Sequence, residues 1–322
     1  MQLSHLFLLA GLILSPGVSQ ALSCSVSNVQ PVNFGTVNPL SATGATGAMT
    51  FSYACTRAIT DVLAGVTLCF NIGPSAVSGQ ISPRQMSFAG PPASTLNYQL
   101  YQDPGYTTVW GSQYQAGTTP PMVQITFLDF LPVTGSKTVY ARLPGSQITA
   151  APGGYQDNYS AATASVTLNT GLLLPPTTCG TTAGPTFPFT VLATVVKQCN
   201  VSFTNNINLG TVNATQTNIS ANNTMGVTCT NSTPYTIGLV PSNGNTAGGG
   251  MMKTSNTNTD QVPYQLRSGP GMSGSPWGNT PLNSVAGIGV GSTTAWTVYV
   301  TVPGANYTPD SYADTVTVNV TY

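Results

Sequence analysis

Residues 315–322 read Thr-Val-Thr-Val-Asn-Val-Thr-Tyr, an apolar side chain after every polar one. Residues 123–127 and 296–302 alternate in the same way. A period of two sends one side chain toward a core and the next toward water, so these segments predict half-buried β-strands. Turn-forming clusters such as Asp103-Pro104-Gly105, Pro152-Gly153-Gly154 and Ser242-Asn243-Gly244 punctuate the short runs at the spacing of a β-sandwich. After residue 21 no stretch of 12 residues combines a helical apolar period with capping residues. The uninterrupted apolar run at residues 6–14 is followed by Pro16, Gly17 and the small residues Ser19 and Ala21, which reads as a secretory signal over residues 1–21. That run is shorter than the roughly 20 residues needed to cross a bilayer, and no later run is long enough, so no transmembrane segment is expected.

The chain also matches itself. Fifteen residues from Cys24 align without a gap on fifteen from Cys199, and eight are identical, including Gly35-Thr36-Val37 against Gly210-Thr211-Val212. Tyr98-Gln99-Leu100 matches Tyr264-Gln265-Leu266, each ahead of a tryptophan, Trp110 or Trp277. Thr138-Val139-Tyr140 matches Thr297-Val298-Tyr299, and Tyr159 is paired with Tyr312. Four blocks in one order predict two homologous domains of ordinary size, over 22–182 and 199–322, joined by residues 183–198.

Cysteines 24 and 55 are 31 residues apart and Cys199 and Cys229 are 30 apart, so one equivalent disulfide is expected in each copy. Cys69 and Cys179 remain, and their bridge would close the end of the first domain onto its middle. Six cysteines behind an export signal suit an oxidising compartment. Composition narrows the chemistry. Seven Lys and Arg balance seven Asp, only 4% of residues are charged, glutamate is absent, and the one histidine is His5. Nucleic-acid binding, a Ser-His-Asp relay, a His-ligated zinc and a Glu-based carboxylate pair are excluded on this inventory, and no enzyme activity or cofactor is expected.

The opening Cys-x-Val-Ser with Gly-Thr-Val, the Tyr-x-Leu block ahead of Trp110-Gly111 and Trp277-Gly278, and the ending from Tyr312 to Tyr322 resemble the spore coat protein U domain, the pilin module of archaic chaperone-usher pili. The resemblance implies two tandem immunoglobulin-like β-sandwiches, the second lacking its last strand. It also implies strand addition beside Thr315, Val316, Val318, Val320 and Tyr322. The donors would be a periplasmic pilus chaperone and then an adjacent pilin subunit, with export through an outer-membrane usher. Removal of residues 1–21 would leave Leu22 and Ser23 ahead of Cys24, too few to donate a strand, which implies the distal tip of the fibre. Residues 187–197 resemble a donor segment tethered to the first domain, where they would either complete it or serve as the connector.

The first copy is longer than the second by 8, 7 and 6 residues between the shared blocks. Inserted loops on a rigid sandwich are where binding residues collect. Their apolar content nominates Phe88, Pro91, Pro92, Pro120, Pro121, Met122, Phe130, Leu131, Ile148, Ala150, Ala151 and Pro152 as contacts to an abiotic or host hydrophobic surface. The expected function is therefore a secreted pilus-tip adhesin acting in surface attachment and biofilm formation. The alternative is a structural spore-coat or outer-surface protein. A sugar-binding reading would rest on Tyr106 and Trp110 alone.

Overall fold

The computed structural model describes residues 22–58, 65–203 and 205–322, so the signal-like segment 1–21 lies outside the described residues. Every regular element among them is a strand. The first half holds β1 (Leu22–Ser27), β2 (Val32–Val37), β3 (Ala45–Arg57), β4 (Gly65–Ile72), β5 (Arg84–Phe88) and β6 (Ser94–Tyr101). It continues with β7 (Met122–Thr126), β8 (Val133–Leu143), β9 (Gly153–Tyr159), β10 (Ala164–Gly171), β11 (Thr182–Thr186) and β12 (Phe189–Val195). The second half holds β13 (Cys199–Phe203), β14 (Thr217–Cys229), β15 (Pro234–Pro241), β16 (Gly249–Lys253), β17 (Gln261–Arg267), β18 (Val285–Ile288), β19 (Thr293–Gly304) and β20 (Val316–Thr321).

Each half is a two-sheet sandwich. In the first, β1-β3-β8-β6-β5-β9-β12-β2 faces β11-β10-β4-β7, and in the second β13-β14-β19-β17-β16 faces β18-β15-β20. The first core is aromatic. Phe51 stacks on Phe187 at 4.9 Å between centroids and lies 5.6 Å from Phe70. The second core gathers Ile237, Leu239, Leu266, Trp277 and Val302. Disulfides join Cys24 to Cys55, Cys199 to Cys229 and Cys69 to Cys179. The first two occupy equivalent places between the opening strand of a half and its long neighbour.

The internal repeat holds at the level of single hydrogen bonds. The Asn33 side chain accepts from the Gly35 amide at 2.8 Å, and Asn208 accepts from Gly210 at the same distance. Both glycines have φ near +70°, +67° and +75°, a backbone conformation that residues with a Cβ rarely adopt, which explains the shared Asn-x-Gly-Thr-Val block. Trp110 donates its indole N–H to the Phe70 carbonyl at 2.8 Å, and Trp277 donates to Ile237 at 2.9 Å.

One pairing of the repeat is corrected by the structure. Tyr155 donates its hydroxyl to the carbonyl four residues earlier, that of Ala151, and Tyr312 does the same to Thr308, both at 2.7 Å. Gln156 lies opposite Ser87 on β5, as Ala313 lies opposite Lys253 on β16. Tyr312 therefore matches Tyr155 and not Tyr159, so the third length difference shrinks from 6 residues to 2, and a separate extra turn follows β9 at residues 160–163. That turn separates β9 from β10, whereas residues 312–321 pass from one sheet to the other without such an insertion.

Candidate functional site: a strand groove and an apolar pole

In the first half, β11 and β12 close the sandwich. β11 pairs antiparallel with β10, and β12 lies between β9, antiparallel, and β2, parallel. Its alternation sends Phe189, Val191, Ala193 and Val195 into the core while Thr190, Leu192 and Thr194 face outward. Residues 183–198 thus belong largely to the sheets of the first half, and only Val196, Lys197 and Gln198 separate β12 from β13.

The second half has no such strand among the described residues. Where β12 would lie there is a groove of 520 Å³ between residues 207–210 and residues 312–318. Ile207, Leu209, Met225, Leu239, Leu266, Val300, Val316 and Val318 give it an apolar floor and walls. The repeat supplies an internal control. Val32, Phe34 and Val37 are buried under β12, whereas their counterparts Ile207, Leu209 and Val212 are only half-buried. Of the nominated edge residues, Val316, Val318 and Val320 point inward and are half-buried, while Thr315 and Tyr322 are exposed.

A buried polar network lies beside β12. Tyr98 donates to the Asp157 carboxylate at 2.5 Å and its oxygen is 2.8 Å from that of Tyr159. Burial, with Tyr159 and Asp157 close by, pushes the Tyr98 pKa well above the usual tyrosine range. Burial also raises Tyr159, while the Arg84 guanidinium partly holds it down. Arg84 is fully buried and donates to Gln99 and to the carbonyls of Trp110, Gly73 and Ile72. The second half keeps only part of this set. Tyr264 donates to Asp314 at 2.6 Å, and burial followed by the nearby carboxylate raises its pKa strongly.

The nominated loop residues do not form one surface. At the end of the first half that meets the second, the Asn231 side chain donates to the Thr149 carbonyl at 2.8 Å, and a Cβ on Gly291 would lie 1.9 Å from the Ile148 carbonyl oxygen. Ile148 therefore lies at the end that meets the second half, with its side chain 41% exposed. Ala150 and Ala151 are buried there, and Phe88 packs against Tyr155 at 5.6 Å. Pro91 and Pro92 are exposed on the β5–β6 turn and Pro152 is half-buried. Pro120 is buried, Pro121 half-buried, and Met122 pairs with Cys69 partway along β4.

Phe130 and Leu131 lie at the opposite pole. Gly65, at the start of β4, pairs with Gly171 and Thr126, which brings the chain after β10 and the chain after β7 to one end. Leu128 is 92% exposed and Leu173 is 83% exposed, and Phe130, Leu131, Leu172 and Leu174 are exposed beside them. The Arg57 guanidinium sits 4.8 Å from the centre of the Phe130 ring and its Nε donates to the Asp129 carbonyl at 3.2 Å, which props this loop upright. Sequence reasoning passed over Leu172, Leu173 and Leu174 because they fall after the last block shared by the two copies. Three consecutive leucines before Pro175 and Pro176, with no strand alternation, were the available signal.

No curated protein matches the chain in sequence. Among solved structures, a chain of the CsuC-CsuE chaperone and tip adhesion subunit complex from the archaic chaperone-usher Csu pili of Acinetobacter baumannii is similar, with 18% identity, a TM-score of 0.50, and coverage of 93% of this chain and 100% of that one. The CupB6 tip adhesin of Pseudomonas aeruginosa covers 94% of this chain and 95% of its own at 12% identity, with a TM-score of 0.38. The first likeness is one of fold. Residues 14–162 and 185–319 both match the Spore Coat Protein U domain, and with two such segments over most of its length the chain belongs to that family.

Proposed function

We propose that the protein is the tip adhesin of a secreted chaperone-usher pilus. The observation that carries this reading is the strand position that β12 fills in the first half and nothing described fills in the second. An open groove beside the unpaired edge of β20 is an association site until an extended segment covers it. In this reading a periplasmic chaperone covers it first, the outer-membrane usher exchanges that strand, and an adjacent pilin subunit supplies the final one. The first half, closed by its own chain, receives no strand and stands at the end of the fibre. Its far pole presents Leu128, Phe130, Leu131, Leu172, Leu173 and Leu174, which supports attachment to hydrophobic surfaces and, through many fibres per cell, biofilm formation.

Immunogold labelling of intact cells tests the proposal. A pilus-tip subunit gives sparse label at fibre ends. Dense label over the whole surface would point instead to a coat protein and overturn the reading.

A further inference from the structure

The two grooves differ in charge, and the difference specifies what the missing strand must carry. In the first half β12 buries a carboxylate. Asp157 is 1% exposed and lies opposite Val191, accepting from Tyr98 and from the Ala76 amide at 3.0 Å. A buried carboxylate is costly unless charge and hydrogen bonds compensate it. Here the buried Arg84 guanidinium lies in the same network, where both it and Asp157 act on the Tyr159 hydroxyl, and it supplies the compensating positive charge.

The second half retains the carboxylate, but no Lys or Arg is among the residues lining its groove, and Lys253, opposite Ala313, is exposed. Asp314 accepts from Tyr264 and from the Thr315 amide at 2.8 Å. Arg84 lies opposite Tyr98 on β6, and the residue opposite Tyr264 is Gly250. A Cβ there would meet the Tyr264 ring at 2.0 Å, so this position has no room for an arginine with the ring where it is. Asp314 is the only charged residue among those lining the groove. A strand laid across it with only apolar side chains would bury an uncompensated negative charge.

Given the groove reading above, we propose that the strand filling the second groove carries a lysine or arginine at the inward position equivalent to Val191, where it pairs with Asp314. The repeat fixes the register. Val191 lies between Asp157 and Val32, so its counterpart lies between Asp314 and Ile207. The next inward positions, equivalent to Phe189 and Ala193, would face Val316 and Tyr312 and stay apolar.

The test appends a second copy of residues 171–195, with its cysteine replaced by serine, behind Thr321 of the full chain, where it can fold back as β11 and β12 do. Versions with Val191 retained or with V191K in the appended copy only are compared in the Asp314 chain and in D314N. The lysine version is expected to raise the melting temperature of the second domain above the valine version by about 5 °C, and D314N should abolish that advantage. Equal stabilisation by both versions would overturn this inference and leave the groove reading standing. If no appended segment protects the second domain, the groove reading fails and the inference with it.

Discussion

Phe189 lies flat on Tyr159, with centroids 4.7 Å apart and planes 9° from parallel. The contact joins the closing strand of the first half to the strand it completes. Among the described residues no aromatic pair of this kind occupies the equivalent place in the second half, where Val316 lines an open groove. Phe189→Ala should therefore destabilise the first domain by about 3–5 kcal/mol, the usual cost of removing a buried phenylalanine side chain. Calorimetry should show its transition lowered and that of the second domain unchanged.

The Cys69–Cys179 bridge spans 110 residues and anchors the chain just before β11. By loop entropy it contributes about 4–5 kcal/mol, against about 3.5 for a loop of the length closed by Cys199–Cys229. Replacing Cys69 and Cys179 together by alanine should lower the first domain's unfolding free energy more than the same change at Cys199 and Cys229 lowers the second's. Urea denaturation of the two double mutants measures both.

Burial raises the hydroxyl pKa of Tyr98, Tyr159 and Tyr264 above the unfolded value of about 10. The folded chain then holds these protons to higher pH than the unfolded chain. Their contribution is complete below about pH 10 and is lost as the pH climbs toward the folded values. Absorbance at the tyrosinate wavelength should show each of them ionising cooperatively with the alkaline unfolding of its own domain, Tyr98 and Tyr159 together with the first and Tyr264 with the second. Gradual ionisation in a folded chain would contradict the buried network.

Replacing Phe130, Leu131 and Leu173 together by serine should sharply reduce adhesion to a hydrophobic plastic while fibres still form. Buried apolar area contributes about 25 cal/mol per Å², and these side chains are largely exposed in the unbound protein. Ile148→Ser is the control. It lies at the end that meets the second half, so adhesion should hardly change, and salt should matter little in either case.

The sandwich class, the two copies and the three cysteine pairs were legible because each leaves a periodic or repeated mark in one dimension. The groove was legible through the family likeness of the Cys199 and Tyr312 blocks. The pairing of Tyr312 with Tyr159 went astray because two tyrosines four residues apart compete for one position, and only the bonds to Ala151 and Thr308 separate them. Apolar composition nominated loop residues without saying which pole they occupy. Ala150 and Ala151 are apolar because they are buried, and Leu172 to Leu174 escaped because nothing in the second copy aligns with them. The exchange of Arg84 for Gly250 was hidden in the most divergent stretch, and it emerges only when both are placed opposite their tyrosines.

The central claim is that one strand position is filled from within in the first half and left open in the second. Hydrogen exchange read by mass spectrometry, on the full chain alone and with a strand-donating partner, tests it most directly. Amides of residues 32–37 and 153–159 should be protected in both samples, while residues 207–212, which lie in no strand, should exchange rapidly in the free chain and slow markedly with the partner. Equal protection of both sets in the free chain, unchanged by the partner, would contradict the account.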